Sequence, residues 1–353
     1  MKSVLGVVVA FVTTGCVLAA CSSSKPASLA GSSGTASPGG SAGGLQQQYE
    51  QVVKSVLPSV VQIKAGSSSG SGVVYDDKGD IVTNDHVVSG ATTFQVASAT
   101  GGQALSAHLV GAFAPDDLAV IRVSGGSLKP ATFGSSSGLQ VGQLVLAMGN
   151  PLGLSGSVSE GIVSATGRTV SEGGSGGSGQ GAAAVAVIAN AVQTSAAINP
   201  GNSGGALVNM SSQVVGIPTL AAVNPALGSA APGIGFAIPG DTVKNIAGQL
   251  ISTGKVTNSG KASLGITGQT VADQSGNPSG VGVAAVTASG PAASAGIQNG
   301  DVITSVGGKP TPDTSTLATV VSQYKPGDKV PVKFARNGQS RTVDVTLGTL
   351  GAA

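Results

Sequence analysis

From residue 59 onward the apolar residues come in short runs separated by turn-forming residues. Val60-Val61-Gln62-Ile63, Val73-Val74-Tyr75, Ile81-Val82-Thr83 and Leu118 to Val123 are such runs, with others near Phe94 and Leu109. A second set covers Leu144 to Met148, Gly161 to Ala165, Ala206 to Val208, Val214 to Ile217 and Gly235 to Ile238. Each is long enough for a strand and too short for a helix. Asp77-Lys78-Gly79, between the second and third runs, is a hairpin signature. The chain holds 57 glycines, which favour turns and β structure over long helices. Evenly spaced short strands predict paired barrels or a sandwich. The Gly/Ser stretch at 171–181 reads as a long loop within this region.

The flanks read differently. Lys2 precedes an apolar run from Val4 to Ala20. That run falls short of the roughly 20 apolar residues a membrane span needs, and residues 1–20 suit a signal peptide. It ends in Leu18-Ala19-Ala20-Cys21, which resembles the bacterial lipobox, where cleavage precedes a cysteine that becomes lipid-modified. The plainer alternative is an ordinary signal peptide with Cys21 incidental. The lipobox reading implies export and anchoring by lipidated Cys21 to the bacterial cell membrane, outside the cytoplasm. Residues 21–44 are then a flexible Ser/Gly/Ala linker. Leu45, Tyr49, Val52, Val53 and Val56 fall at helical spacing, with Pro58 just beyond. A second helix is expected over Asp241 to Ile251, with Val243, Ile246, Ala247 and Leu250 on one face. The expected domains are 45–251 and 263–349, joined by a linker at 252–262; the later unit combines strands, one helix and an Asn337-Gly338 hairpin.

Composition excludes several functions. Charged residues make up 9% of the chain and the net charge is +2, so no basic stripe invites nucleic acid. Both cysteines, Cys16 and Cys21, lie near the N-terminus, which leaves no thiol nucleophile or thiolate metal site in the body of the chain. Two histidines and no His-Glu-X-X-His argue against a zinc peptidase. No metal or other cofactor is indicated.

The sharpest local signal is Asn199-Pro200-Gly201-Asn202-Ser203-Gly204-Gly205. Glycines around a serine let a substrate backbone approach and let amide N–H groups converge on a developing oxyanion. A bland glycine-rich turn would look similar. An activated serine needs a base, and histidine has a suitable pKa. His86 ends a strand at a turn, in Thr83-Asn84-Asp85-His86-Val87-Val88, whereas His108 sits mid-strand. His86 is therefore the candidate base. Asp117 opens the apolar run Leu118-Ala119-Val120-Ile121, which carries it inward, while Asp116 should face the other way. Asp85 is too close in sequence to His86 to orient its ring. The order His86, Asp117, Ser203 excludes an α/β-hydrolase, in which the histidine follows the serine.

These stretches, with Gly70-Ser71-Gly72-Val73-Val74, Gly149-Asn150-Pro151-Leu152-Gly153 and Gly161-Ile162-Val163-Ser164, make the chain resemble the HtrA/Deg family of trypsin-like serine proteases over residues 46 to 349. The resemblance implies a mostly β protein, with two six-stranded chymotrypsin-like β-barrels followed by an α+β PDZ domain. It implies a catalytic triad of His86, Asp117 and Ser203, and an oxyanion hole from the backbone N–H groups of Gly201 and Ser203. In the PDZ unit, Ser263-Leu264-Gly265-Ile266 matches the carboxylate-binding loop, with Leu264, Gly265 and Ile266 as the peptide-binding residues. A helix with Leu317, Val320, Val321 and Tyr324 would line the groove or pack the core. The implied partners are unfolded or misfolded envelope proteins, a lipid anchor and a homotrimer formed near Tyr49. Ser195 stands where the family usually carries aspartate. Ala197 and Ile217 suggest a shallow apolar pocket for a small or medium aliphatic residue. The competing reading is a chaperone or peptide sensor whose protease fold is latent.

Overall fold

The computed structural model describes residues 40–66, 68–150, 156–171, 186–199, 201–224 and 229–351. The signal peptide, Cys21, most of the linker to residue 44 and nearly all of the 171–181 stretch lie outside the described residues, as do Pro151-Leu152-Gly153 and Pro200. Gly44–Ala353 forms one compact unit.

The expected N-terminal helix is α1 (Gly40–Val56). Val52 and Val56 point into the core with Tyr49 and Val53 packed beside them, while Leu45 is left exposed. Pro58 supplies no N–H to continue the helix, and the chain tightens into a 3-10 turn at Leu57–Ser59. Six strands follow: β1 (Val60–Ala65), β2 (Ser68–Val74), β3 (Asp80–Thr83), β4 (Thr93–Ser98), β5 (Leu105–Phe113) and β6 (Leu118–Val123). Between β3 and β4 lies the one-turn α2 (Asp85–Val88). The strands close as β1-β2-β3-β6-β5-β4. The β2–β3 hairpin turns at Gly79, whose φ of 84° is open to glycine.

The second half contributes β7 (Thr132–Phe133), β8 (Leu144–Gly149), β9 (Ser157–Ser171), β10 (Val187–Thr194), β11 (Ala206–Asn209), β12 (Gln213–Asn224) and β13 (Ser229–Pro239). Their order is β11-β8-β9-β10-β13-β12, and pairing of β11 with β12 closes this ring of six; β7 adds in parallel outside it. The structure is thus the pair of six-stranded barrels that the resemblance implied.

Period-two alternation decides what each barrel encloses. Val61, Ile63, Ala119 and Ile121 fill the first barrel. Val145, Ala147, Leu207 and Val215 belong to the second barrel's own cluster. The intervening residues are equally buried: Val60, Val73, Val82, Leu118 and Val120 meet Leu146, Met148, Ala206, Val208, Val214, Ile217 and Ile238 in a shared cluster. Strands buried on both faces read as continuous apolar runs, as they do here. The cluster is capped by α3 (Gly240–Thr253) through Val243, Ile246, Ala247 and Leu250. Ile217 is fully buried there, so it offers no wall to a substrate pocket, contrary to the expectation from sequence.

The C-terminal unit begins with β14 (Ala262–Ser263), then β15 (Ile266–Ala272), β16 (Pro278–Val286), α4 (Pro291–Ser294), β17 (Val302–Val306) and β18 (Lys309–Pro310). It ends with α5 (Thr314–Val321), β19 (Lys329–Arg336), β20 (Gln339–Thr346) and β21 (Gly348–Thr349). The main sheet runs β15-β16-β17-β19-β20 over its own core of Val281, Ile303, Leu317, Val320, Phe334 and others. The β19–β20 hairpin turns at Asn337-Gly338, both at positive φ, which is the type I′ pattern.

The expected linker at 252–262 is tied down at its end. Lys261 pairs with fully buried Asp116, and its Nζ donates to the Val187 carbonyl at 2.7 Å. Burial pulls the Lys261 ammonium down from 10.5 to about 7. Asp116 thus turns to Lys261 while Asp117 turns to His86 and Thr219. Removing one member of a buried pair strands the other charge. Lys261→Met is expected to lower stability by about 3–5 kcal/mol, and Lys261→Met combined with Asp116→Leu to recover most of it; urea unfolding of the three proteins checks this.

Candidate active site

The first barrel presents His86 and Asp117 at its edge. His86 lies in α2, directly after β3. Asp117 follows the 3-10 turn Ala114–Asp116 and leads into β6. Its backbone is left-handed, at φ 50° and ψ 46°, which is strained for a residue with a Cβ and is held here by contacts around it. The Asn84 amide donates to the Asp117 carbonyl at 3.0 Å, and the His86 N–H donates to Asp117 Oδ1 at 3.0 Å. The His86 ring Nδ1 lies 3.0 Å from Oδ1 and 2.9 Å from Oδ2. Asp117 is buried, while the His86 side chain is 40% exposed. The imidazole is therefore anchored on its Nδ1 side.

The second barrel brings Ser203, in the turn before β11, and Thr219 of β12. Thr219 Oγ1 donates to Asp117 Oδ2 at 2.5 Å, and Ser203 Oγ donates to the Thr219 carbonyl at 3.2 Å. One residue thus touches both the carboxylate and the serine. The structure brings together the three residues singled out from sequence, with Thr219 as a fourth member. Nothing in the sequence marks Thr219: it is one threonine in a strand, and only the meeting of the barrels gives it a partner.

The serine's turn needs its glycines. Gly204 has φ 78°, and a Cβ there would stand 2.2 Å from the Ser71 carbonyl oxygen. A Cβ on Gly205 would stand 2.1 Å from the Met148 carbonyl oxygen. Gly201 is at φ 104°. The turn is cross-bonded, with Asn202 N–H to the Asn199 carbonyl at 3.0 Å and Gly205 N–H to the Asn202 carbonyl at 2.9 Å.

Other sequence candidates fall elsewhere. His108 is exposed on β5, opposite Thr93 and Arg122. Asp85 opens α2, and its carboxyl is raised above 3.8 by burial and then by the Asp117 charge. Ser195 takes a structural place: its N–H donates to the Ile162 carbonyl at 3.1 Å, and its Oγ accepts from the Ile162 N–H at 3.0 Å. Ala197 is exposed. Tyr49 packs on the barrel core, and its hydroxyl is raised by burial and by the Glu160 carboxylate bonded to it.

A groove of about 220 Å³ opens in the C-terminal unit between β15 and α5. Leu264, Gly265 and Ile266 line one side and Leu317, Ala318 and Val321 the other. Lys261, Pro115 and Val187 close its end. Of the helix residues proposed for the groove, Val320 and Tyr324 serve the core instead. Ser263 Oγ accepts the Gly265 N–H at 3.0 Å, so that donor, expected to be open for a chain terminus, is already engaged.

Two barrels meeting over a buried Asp–His pair and a serine, followed by a small sheet-and-helix unit with a groove, define a trypsin-like peptidase fold with an appended PDZ domain. Family models agree: a trypsin-like peptidase domain matches residues 70–217 and a PDZ domain residues 262–347. The chain is 43% identical to the serine protease PepD of Mycobacterium tuberculosis over 85% of its own length and 66% of that protein's. It is 40% identical to the serine protease Do-like HtrA of Lactobacillus helveticus, over 79% of this chain and 68% of that protein. It thus spans about two thirds of the length of these relatives, and just under that for PepD. Among solved structures, the serine endoprotease from Yersinia pestis shares 35% identity at a TM-score of 0.54, covering 86% of this chain and 98% of that one. The HtrA-type protease AlgW with tripeptide shares 32% identity at a TM-score of 0.54, with coverages of 86% and 97%. The chain belongs to the HtrA family of serine proteases.

Thr219→Val removes a hydrogen bond to a charged, buried acceptor. Peptide turnover is expected to fall by about 10–150-fold, the equivalent of the roughly 1.5–3 kcal/mol such a bond contributes; steady-state kinetics on a peptide substrate measures it.

Proposed function

We propose that this protein is a serine endopeptidase that hydrolyses peptide bonds of unfolded or misfolded exported proteins through an acyl-enzyme. The observation that carries the reading is the constellation of His86, Asp117, Thr219 and Ser203 across the barrel boundary. Ser203 Oγ attacks the scissile carbonyl while His86 takes its proton. Asp117 holds the Nδ1 proton and stabilises the imidazolium that forms. The N–H groups of Gly201 and Ser203 receive the oxyanion. His86 returns the proton to the leaving amine, and water then repeats the sequence to release the acyl group. No cofactor takes part.

Residues 45–251 act as the protease domain in this reading, and 263–349 as the PDZ domain. Leu264, Gly265 and Ile266 hold a peptide C-terminus that adds as a strand beside β15. Because Ser263 Oγ already accepts the Gly265 N–H, an incoming carboxylate shares or replaces that bond. Export rests on the apolar N-terminal run and on likeness to proteins named as periplasmic DegP-like endoproteases, such as that of Halomonas elongata. Anchoring through lipidated Cys21, with the stretch between it and α1 as a tether, and assembly into a homotrimer through the N-terminal helix, which begins at Gly40 within the linker expected from sequence, belong to the same reading. Exposed Leu45 is the candidate trimer contact, since Tyr49 is committed within the chain.

Digestion of casein by wild type and by Ser203→Ala tests the central claim. The variant is expected to lose about 10⁴-fold or more in turnover. Equal activity in the two proteins would sink the endopeptidase reading in favour of a peptide-binding role.

A further inference from the structure

Ser71 of β2 is fully buried and belongs to the first barrel, yet its hydroxyl and its N–H both bond to the second barrel, at the serine turn and at Asn150. Its Oγ donates to the Gly201 carbonyl at 2.5 Å and accepts the Asn150 N–H at 2.8 Å. Its N–H donates to the Ser203 carbonyl at 2.9 Å. Its own carbonyl accepts from Thr83 Oγ1 at 2.7 Å. The residue cannot shift to relax these bonds. A Cβ on Gly70 or Gly72 would stand 2.7 Å from Val87 or 2.6 Å from Ile81, so the face of the strand opposite the Ser71 side chain lies flush against its own barrel.

The bonds fall in a telling pattern. The peptide unit between Gly201 and Asn202 is held at both ends, its carbonyl by Ser71 Oγ and its N–H by the Asn199 carbonyl. The unit between Ser203 and Gly204 is also held at both ends, its carbonyl by the Ser71 N–H and its N–H by the Pro218 carbonyl. The two oxyanion donors, the N–H groups of Gly201 and Ser203, belong to the units that alternate with these. Gly201 carries no side chain to restrain its dihedrals, so a held carbonyl is what fixes its conformation.

We propose that Ser71 is a positioning residue for the oxyanion hole: from the opposite barrel it fixes the two peptide planes that flank the donors. It touches neither substrate nor the reacting atoms. The proposal rests on the endopeptidase reading above. It predicts a loss confined to the transition state, because the donors matter only once the oxyanion forms.

The test compares full-length wild type, Ser71→Ala and Ser71→Cys, which is close to isosteric. Fluorescently labelled casein gives kcat and KM, and an alanyl-prolyl-boronovaline peptide, which forms a tetrahedral adduct on the serine, gives transition-state-like affinity. Ser71→Ala is expected to lower kcat by about 10–100-fold, somewhat less than outright deletion of an oxyanion donor. KM stays within twofold, boronate affinity falls by a factor matching the loss in kcat, and the acid limb of the pH profile does not move. Ser71→Cys does the same, and decides the question if circular dichroism shows Ser71→Ala unfolded. Unchanged kcat, a loss carried by KM, or unchanged boronate affinity overturns the proposal while wild-type cleavage still supports the endopeptidase reading. Wild type no faster than Ser203→Ala overturns both.

Discussion

The two barrels share a core, and the rest of the structure depends on it. Alternate residues of β1, β2, β3 and β6 turn away from their own barrel and pack against alternate residues of β8, β11, β12 and β13. Neither barrel can slide on the other without exposing this cluster. Burial of each such side chain contributes on the order of 1.5–3 kcal/mol, so the relative position of the barrels is set by apolar packing. The polar site inherits that position. His86 and Asp117 come from one barrel, Ser203 and Thr219 from the other, and the Thr219–Asp117 bond at 2.5 Å that joins the two pairs requires the boundary to be registered to a fraction of an ångström.

Polar groups at the boundary then refine what packing has placed. Asp117 is buried in a strained backbone conformation, which its contacts with Asn84, His86 and Thr219 hold in place. Ser71 plays the reciprocal part, reaching from the first barrel to the turn that carries Ser203. Traffic across the boundary therefore runs both ways: a second-barrel threonine steadies a first-barrel carboxylate, and a first-barrel serine steadies a second-barrel turn.

The C-terminal unit connects to this frame close to the site. Lys261 holds Asp116, the immediate neighbour of Asp117, and the groove between β15 and α5 ends against Pro115 and Val187. A contact at the groove's end is thus one peptide bond from the residue that orients His86.

The sequence by itself determined most of the barrel strands though not β7 or β10, the two helices that cap the barrels, the I′ hairpin at Asn337-Gly338, and the choice of His86, Asp117 and Ser203. Those features are local: apolar periodicity, turn chemistry and short glycine-rich motifs can be read within about ten residues. Tertiary structure alone decided the roles of Thr219, Ser71 and Lys261. Each is an ordinary residue in its own neighbourhood, and each acquires its partner from 102, 130 or 145 positions away. It also moved Ile217 from a pocket wall to the core, because strand alternation gives the face a residue occupies but not which of two buried faces belongs to the site. Pairing across a barrel boundary is a property of packing, and no local pattern encodes it.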